Sequence, residues 1–527
     1  MESQQRHGRG LRGLSDATRS SVESGRFGRL FRSLHPAAHT ASGLHELALT
    51  MLAGESDDKD ITEPEPEDEN PTITAGFTYF GQFVDHDITF DPVSSLTAQN
   101  DPDALKDFRT PRMDLDSVYG RGNADQPYLY LRDPSDKLAL GDERQPPSVA
   151  GSRPDLPRNE EGIALIGDPR NDENTIVSQL QSLFLRFHNK VVDIFPAGEQ
   201  RFRHVQQLVR WHYQWLIVHE LLPRVVGQDT LNTIIQPGGA PPRLQFYKPR
   251  QEAFMPVEFS VAAYRFGHSM VRPSYSLSSD VLTGSDPDHK RIPIFSDNAD
   301  ERANLNGFRR LPESWGIDWS FFFPDLPHPP ATSPATGNPY QPAPDKVLQI
   351  PQPSYRIDTV LVDPLGTLPG AAVPAGDGVE PTRSLAERNL QRGRSLGLPS
   401  GQSVARRLNA PPLEDDVLWD HADPERKEKR QAVFNAFPEF HRCAPLWFYI
   451  LREAELQHRD GFSDPTALGG HHLGAVGGRV VAEVLIGLLW NDHHSYLYQD
   501  PLWQPDARLA PTTGSFSFAD LVQFTDS

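Results

Sequence analysis

The spacing of apolar residues along the chain predicts a mainly α-helical fold. One stripe at helical spacing comprises Ile73, Phe77, Phe80 and Val84, so a helix here would bury one face. There is no convincing internal repeat, and no shift in composition forces a boundary. We therefore expect one α-rich domain with long loops, spanning residues 36–505.

Two longer amphipathic helices are predicted further along, over 175–195 and 203–222. Pro223 is expected to end the second helix, because proline lacks the backbone N–H that a helix interior needs. Prolines are dense between 323 and 381, which predicts a long irregular excursion over the surface. The acidic run 55–70 is expected to be a solvated loop.

Both ends of the chain differ from this domain in composition. Residues 1–35 are rich in Arg, Gly and Ser and are expected to form a mobile arm, and residues 506–527 are set apart as a C-terminal tail. The start has no apolar signal region, and the most apolar segment, 480–490, is too short to cross a membrane and contains Glu483. No membrane span is therefore expected.

Charge and cysteine content narrow the class of protein further. The net charge of −20 argues against nucleic acid and anionic membrane surfaces as partners. Cys443 is the single cysteine, so no intrachain disulfide can form, and no usable glycosylation sequon is present. These features favour a bacterial protein that is cytoplasmic or exported by a non-classical route.

The most informative polar cluster lies in the sequence GQFVDHDI, residues 81–88. Gln82, Asp85 and His86 are spaced so that all three project from one side of a helix. An imidazole beside a carboxylate on an otherwise apolar helix is costly unless it is paired or takes part in chemistry. A simple His–Asp pair at a helix end is the alternative interpretation.

Three further segments follow in order: 168–173 (DPRNDE), 259–273 (FSVAAYRFGHSMVRP) and 388–399 (RNLQRGRSLGLP). Each segment by itself is weak evidence for a functional site. Acidic residues often occur at the start of a helix for structural reasons, and a lone histidine is usually a packed core residue. Arg265 and His268 share one helical face, and Gly267 between them leaves room for a large group to approach.

Together these segments resemble the animal-type haem peroxidases of the peroxidase–cyclooxygenase superfamily, in their bacterial branch, over roughly residues 35 to 500. The resemblance implies a myeloperoxidase-like α-helical fold. It also implies that Gln82, Asp85 and His86 lie on the distal helix, with Gln82 and His86 catalytic. Arg170 matches the distal arginine and is implied to be catalytic as well, and Glu173 matches the glutamate three residues beyond it.

On the proximal side, the resemblance implies that His268 ligates the iron of haem b. Arg265 matches the arginine that meets a haem propionate, and Asn389 the partner of the proximal imidazole. The family's methionine after the glutamate is Asn174 here, so the sulfonium link of one mammalian branch cannot form.

In mammalian members, the two carboxylates that align with Asp85 and Glu173 form ester bonds to the haem. The resemblance implies at least one such ester after exposure to peroxide. The alternative is that both acids only form hydrogen bonds, Asp85 with a neighbouring backbone and Glu173 with the start of its helix.

These residue types also suit peroxide chemistry on general grounds. A neutral imidazole can move a proton from one peroxide oxygen to the other, and a guanidinium that never deprotonates can stabilise the departing oxygen. A histidine ligand needs an acceptor for its other nitrogen, and Asn389 can offer its side-chain oxygen.

A calcium site is predicted from oxygen donors at alternate positions after residue 109. Asp87, Thr110, the carbonyl of Arg112, Asp114 and Asp116 could together surround an ion that prefers six to eight oxygen ligands. The family's calcium site resembles this one, but its last position is commonly serine. The alternative is an Asp-rich turn that merely caps the following helix.

The function implied is a haem peroxidase that reduces hydrogen peroxide through a ferryl intermediate and oxidises halide, thiocyanate or phenols. One rival is a fatty-acid dioxygenase of the same superfamily. Those enzymes place a radical-forming tyrosine three residues before the proximal histidine, where this chain has Arg265, with Tyr264 one residue further back. The other rival is an inactive calcium-binding adhesion protein on this scaffold.

Overall fold

In a computed structural model, the structure describes residues 25–54, 68–90, 106–107, 109–133, 136–146, 149–249, 252–279, 291–327, 350–369, 382–457 and 469–527. Over these ranges the protein is mainly α-helical, as predicted. The helices are α1 (Ala41–Leu49), α2 (Ala75–Ile88), α3 (Asp116–Tyr119), α4 (Thr175–Asp193), α5 (Arg201–Leu216), α6 (Leu222–Val226), α7 (Gln228–Ile234), α8 (Val257–Ser260), α9 (Asp363–Gly366), α10 (Leu385–Ser395), α11 (Gly401–Arg407), α12 (Asp415–Leu418), α13 (Pro424–Ala436), α14 (Leu446–Leu456), α15 (Ala475–Asn491), α16 (Tyr496–Gln499) and α17 (Phe518–Asp526).

Shorter elements connect these helices. The 3₁₀ turns are Pro127–Leu129, Pro169–Asp172, Pro237–Gly239, Ala263–His268, Trp319–Phe321 and Pro438–Phe440, and Ile217–Leu221 is a π-helix. The strands are β1 (Gly25–Gly28), β2 (Glu69–Thr74), β3 (Lys106–Asp107), β4 (Met255–Pro256), β5 (Ser274–Tyr275), β6 (Ile292–Pro293) and β7 (Pro353–Tyr355). They form three small sheets, β3–β1–β4, β2–β7 and β5–β6.

Helix α2 lies at the centre of the core, packed through aromatic rings. Phe83 stacks on Phe184 of α4 with ring centroids 4.8 Å apart. Phe80 makes an edge-to-face contact with Phe518 of α17 at 4.6 Å. Buried aromatic pairs of this kind add stability beyond the area they bury. The polar residues of α2 are thus carried on a rigid helix.

The C-terminal helix α17 is tied to the core at both ends. Phe518 stacks on Phe323 with centroids 4.0 Å apart. Asp526 accepts hydrogen bonds from Arg153, at 2.7 Å and 2.8 Å, and from Arg186, at 2.5 Å. The predicted tail 506–527 therefore includes a packed helix.

The N-terminal arm is described only in part. The strand β1 lies within it and pairs with β3 and β4, while residues 1–24 are outside the described residues. The limits of the arm, the domain and the tail stay predictions. Most of the acidic run 55–70, and 328–349 and 370–381 of the proline-rich excursion, also lie outside the described ranges.

Two local predictions were wrong. Ile73 is buried, but it lies in β2, and the helix begins two residues later at Ala75. Pro223 does not end the helix that starts at Arg201, because the chain continues through the π-helix into α6. The π turn resets the hydrogen-bond register, so Pro223 falls in the first turn of α6, where a missing N–H is tolerated.

The most apolar helix, α15, is buried and holds Glu483 inside the core. The carboxylate of Glu483 accepts hydrogen bonds from the backbone N–H groups of Gln245, Phe246 and Tyr247, at distances from 2.7 Å to 3.1 Å. Across the part of the chain that the structure describes, no helix is both long and apolar enough to span a membrane.

Candidate functional site

His86 lies on the last turn of α2, 5% exposed. Its Nδ1 is 2.7 Å from Oδ1 of Asn171, which lies in the 3₁₀ turn before α4. Burial, followed by the positive charge of Arg170, lowers the pKa of His86 to about 3. The imidazole is therefore neutral near pH 7.

The predicted distal residues Gln82 and Glu173 come together beside His86. The Gln82 amide donates a hydrogen bond to Oε1 of Glu173, and Asn174 donates to Gln82 at 3.2 Å. The same Glu173 oxygen is 3.9 Å from Nε2 of His86, beyond hydrogen-bond distance. Burial raises the pKa of Glu173 to about 7.

Asp85 lies on α2, directly before His86. Its Oδ1 accepts a hydrogen bond from the hydroxyl of Thr89 at 3.1 Å. Burial raises the pKa of Asp85, and the positive charges of Arg265 and Arg170 oppose that rise. Both carboxylates considered for an ester thus bond to side chains, Asp85 to Thr89 and Glu173 to Gln82. Within the described residues, neither accepts a hydrogen bond from the backbone, which was the expected alternative.

Arg170 is held tightly behind the distal histidine. Its Nη2 donates to Oδ2 of Asp168 at 2.7 Å and to the carbonyls of His86 at 2.9 Å and Thr89 at 2.6 Å. Its guanidinium also lies over the ring of Phe90. Nη1 makes no hydrogen bond to the described residues, whereas Nε and Nη2 are both occupied.

The predicted proximal residues His268, Arg265 and Asn389 also meet. Arg265 and His268 lie in the 3₁₀ turn Ala263–His268, in place of the predicted α-helix, and residues three apart eclipse in such a turn. Asn389 on α10 is 2.8 Å from Nδ1 of His268 and accepts from Nη1 of Arg265 at 3.2 Å. Burial, followed by the charges of Arg265 and Arg388, lowers the pKa of His268 to about 3.

The orientation of the Asn389 amide differs from the expectation. Its oxygen accepts from Arg265, and its nitrogen faces His268. The physical reason is that a guanidinium can only donate, so it attracts the amide oxygen. A ligating His268 would donate from Nδ1, which requires Arg265 to release this oxygen.

Arg388 is a further charged residue at this place, and sequence reasoning gave it no role. Burial and the positive charges of Arg265 and Arg392 lower its pKa to about 10. Three guanidinium groups therefore lie near one another on the proximal side. Such a concentration of positive charge suits the binding of carboxylates. The run of arginines around Asn389 is the sequence feature that could have indicated it.

The backbone is open on one side at a glycine of each element. A Cβ added at Gly81 of α2, or at Gly267 beside His268, would meet no atom within 4 Å. Within α2, the residues that keep partial exposure are Gly81, Gln82 and Asp85. A buried histidine, arginines for carboxylates and open space on two sides fit a haem, and haem b is the group that these residues could hold.

A second cluster lies directly beside His86, where Asp87, Asp114 and Asp116 have oxygens within 4.8 Å of one another. Oδ1 of Asp87 and Oδ1 of Asp114 are buried, and neither oxygen accepts a hydrogen bond within normal distance from the residues that the structure describes. Burial and the neighbouring carboxylates raise the pKa of Asp87 well above its ordinary value. Converging carboxylates with unused oxygens fit a hard cation such as calcium.

Hydrogen bonds connect this cluster to the loop that carries it. The hydroxyl of Thr110 donates to Oδ2 of Asp114 at 3.0 Å, and Leu115 N–H donates to Oδ2 of Asp87 at 3.1 Å. Asp116 lies inside the first turn of α3, and Arg109 pairs with it at 3.2 Å. The role of the Arg112 carbonyl stays a prediction.

Part of the chain is similar in sequence to known haem peroxidases. The animal haem peroxidase family model matches residues 98–302, less than half of the chain. A peroxidase-like protein of Margaritifera margaritifera is 28% identical over 244 residues, which cover 44% of this chain and 26% of that protein. Thyroid peroxidase of Mus musculus is 26% identical over 133 residues, 24% of this chain and 14% of that protein.

Solved structures give the fold over nearly the whole length. Peroxidase A from Dictyostelium discoideum has a TM-score of 0.57 and 17% identity, covering 96% of this chain and 93% of that one. A fatty acid alpha-dioxygenase of Oryza sativa, solved with palmitic acid, has a TM-score of 0.55 and 14% identity, covering 96% and 80%. The fold is that of haem peroxidases and these dioxygenases.

These matches support the animal haem peroxidase superfamily. The chain spans about a quarter or less of the length of the curated relatives named above. The matched range 98–302 contains Arg170, Glu173, Arg265 and His268 but excludes His86. The family model therefore gives no support to the assignment of His86, which depends on geometry, and the bacterial branch stays a prediction.

Proposed function

We propose that this protein is a haem peroxidase that reduces hydrogen peroxide and oxidises small reducing substrates such as halide, thiocyanate or phenols. The observation that carries the proposal is the state of His86, which is buried and neutral, with Nδ1 bonded to Asn171. Its Nε2 makes no hydrogen bond to the described residues, so it can accept a proton from peroxide.

Each remaining residue has a role in this proposal. Haem b, when bound, supplies the electrons that the oxygen–oxygen bond takes up as it breaks. His268 would hold its iron through Nε2, and Arg265 would meet a carboxylate of the same group. Arg170 would stabilise negative charge on the departing oxygen through Nη1, and Gln82 would orient peroxide.

Calcium is proposed as the ion bound by Asp87, Asp114 and Asp116, with Thr110 and the Arg112 carbonyl completing the set. The proposal is supported by the unpaired buried oxygens of Asp87 and Asp114. Because Asp87 directly follows His86, the ion would hold the end of α2 that carries the base.

The test is to purify the full chain, add haem and record the absorption spectrum before and after hydrogen peroxide. A Soret band that shifts with peroxide, followed by turnover of iodide, bromide, thiocyanate or a phenol, is the expected result. Absence of a Soret band, or a band that peroxide leaves unchanged, would refute the peroxidase and favour the inactive calcium-binding protein.

The dioxygenase rival is tested in the same assay with palmitic acid and oxygen. We expect no consumption of the fatty acid, because Arg265 occupies the position where the dioxygenases place tyrosine. Oxygenated palmitic acid from the wild type, lost in a Tyr264→Phe variant, would favour the rival.

We also propose an ester from Asp85 or Glu173 to the haem after exposure to peroxide. Support comes from the partial exposure of both residues and from partners that are only side-chain hydrogen bonds. The experiment is to unfold peroxide-treated protein in acidic organic solvent and weigh the chain. A mass gain that is lost in Asp85→Val and Glu173→Gln supports the ester, whereas a chain at its unmodified mass contradicts it.

A further inference from the structure

A chain of buried amides runs from His86 to the backbone of α3. Oδ1 of Asn171 lies 2.7 Å from Nδ1 of His86, and Nδ2 of Asn171 donates to Oε1 of Gln181 at 2.8 Å. Nε2 of Gln181 then donates to the carbonyl of Ser117 at 3.0 Å. We call Asn171, Gln181 and the Ser117 carbonyl the amide relay.

The far end of the relay fixes the direction of every hydrogen bond in it. The carbonyl of Ser117 can only accept, so Gln181 must present its nitrogen there and its oxygen to Asn171. Asn171 must then present its nitrogen to Gln181 and its oxygen to His86. Since an amide oxygen only accepts, Nδ1 of His86 carries the hydrogen, and Nε2 carries the lone pair.

Burial makes this arrangement stiff. Asn171, Gln181 and Ser117 are all fully buried. Turning either amide around would place two acceptors or two donors face to face without water to replace the lost bonds, which is costly in a buried site. The carbonyl is itself held, because Gly167 N–H donates to it at 3.0 Å.

We propose that Asn171, supported by Gln181, is a positioning residue for the reaction with peroxide, and this rests on the function proposed above. The amide relay holds His86 as the Nδ1–H tautomer with Nε2 directed to the distal space. A proton passes from one peroxide oxygen to Nε2 and then from Nε2 to the other oxygen. His86 ends neutral, and neither amide gains or loses a proton.

The relay also joins two sites. Ser117 directly follows Asp116, one of the three clustered carboxylates, and both lie in α3. A displacement of α3 is therefore transmitted to the ring of His86 through two side chains. The residues next to His86 in the sequence give no indication of this link, because Asn171 and Gln181 are 85 and 95 residues away.

The test uses Asn171→Leu, which removes the acceptor with little change in volume. We expect the rate constant for reaction with hydrogen peroxide to fall ~10- to 100-fold, the usual effect of losing a partner that orients a site residue. The maximal rate of reductant oxidation at saturating peroxide should change far less. Nitrogen-15 NMR of the histidine-labelled full chain, assigned with His86→Gln, should show Nδ1 protonated in the wild type and Nε2 protonated in Asn171→Leu.

Asn171→Asp separates positioning from packing. It keeps an acceptor toward Nδ1, so the tautomer should return and the rate should lie above that of Asn171→Leu. Recovery should be partial, because the second carboxylate oxygen faces Oε1 of Gln181 and a buried charge is worse for packing than leucine. Gln181→Leu should lose part of the rate. Its matched control is Gln179→Leu, because Gln179 is buried on the same helix and donates to the Pro154 carbonyl at 2.9 Å.

The outcomes separate this inference from the proposed function. A wild-type chain without haem or peroxide reactivity refutes the peroxidase, while the NMR tautomer still tests the relay. A wild type that reacts, with Asn171→Leu reacting at the same rate and keeping the same tautomer, overturns the relay. If Asn171→Asp is slower than Asn171→Leu, the residue acts through packing and the inference is also wrong.

Discussion

His86 and His268 lie in separate but similar surroundings, and each keeps its imidazole uncharged. Burial is the largest cause of each lowered pKa, and an arginine adds to it on either side, Arg170 for His86 and Arg265 for His268. A proton acceptor and an iron ligand both need an unprotonated nitrogen. The same physical cause therefore supports both of the roles proposed here, proton acceptor for His86 and iron ligand for His268.

At this scale, the first prediction concerns the base. His86→Ala should retain haem but react with hydrogen peroxide at least ~100-fold more slowly, because the variant lacks the imidazole that is proposed to move the proton. Stopped-flow absorption measures the rate, with His188→Ala as a control for loss of a buried histidine elsewhere. Reaction of His86→Ala at the parental rate would remove His86 from the distal role.

The second prediction concerns the ligand. His268→Ala should lose haem, or lose its five-coordinate ferric spectrum, because His268 is the ligand proposed to hold the iron. Haem content per chain and the Soret spectrum measure this. A variant with the normal spectrum and full activity would show that another residue holds the iron.

The grouping of these residues was predictable from the family resemblance, but their connections were not. Gln82, His86 and Glu173 were expected to share the distal side, and the structure brings them together. Asn171 was visible only as part of a motif, since side chains far apart in sequence meet only in the fold. Likewise, the competition of Arg265 for the Asn389 oxygen has no trace in residue spacing.

At the scale of elements, the loop from Arg109 to Asp116 packs against the end of α2 and is joined to it by contacts of Asp87. Asp87 on α2 accepts from the backbone of Leu115, and its carboxylate meets those of Asp114 and Asp116. The spacing of acidic residues in the loop was sufficient to predict that Asp87, Asp114 and Asp116 lie close together. Helix type was not, because the change from α to 3₁₀ around His268 and the π turn before Pro223 depend on packing.

The third prediction belongs to this unit. Chelation of the protein, or Asp114→Ala combined with Asp116→Ala, should lower thermal stability and change the Soret band together. A bound ion contributes about 2.7 kcal/mol when its free concentration is 100-fold above Kd. Calorimetry with and without calcium measures the loss. Removing repelling carboxylates from an ion-free site would instead stabilise the protein, so an equal or higher melting temperature contradicts the prediction.

For the whole molecule, the helical periodicity correctly gave a mainly α-helical fold. The predicted helix over 175–195 corresponds to α4, because a strong apolar stripe determines which face is buried. The packing of α17 was not foreseen. Its anchors Arg153, Arg186 and Phe323 are distant in sequence, and periodicity gives no information on such pairs.

The fourth prediction is a loss of stability in acid. Burial lowers the pKa of His188 and of His212 to about 4, below the ordinary 6.5. A lowered folded pKa means that stability is complete above pH 6.5 and is lost as pH falls toward 4, by about 3 kcal/mol for each histidine. Urea unfolding between pH 7 and 4 measures the slope, and His212→Gln should reduce it. An unchanged slope in that variant would contradict this.

The contact between Phe80 and Phe518 has a consequence for synthesis of the chain on the ribosome. About 440 residues separate these two aromatic rings. At ~5 to 20 residues per second, α2 is made roughly 20 to 90 s before the helix that covers it. Until then, apolar surface on α2 is exposed to water and to chaperones. A cofactor that reaches the nascent chain early would therefore meet an incomplete site, and its stable capture would be a late, post-translational event.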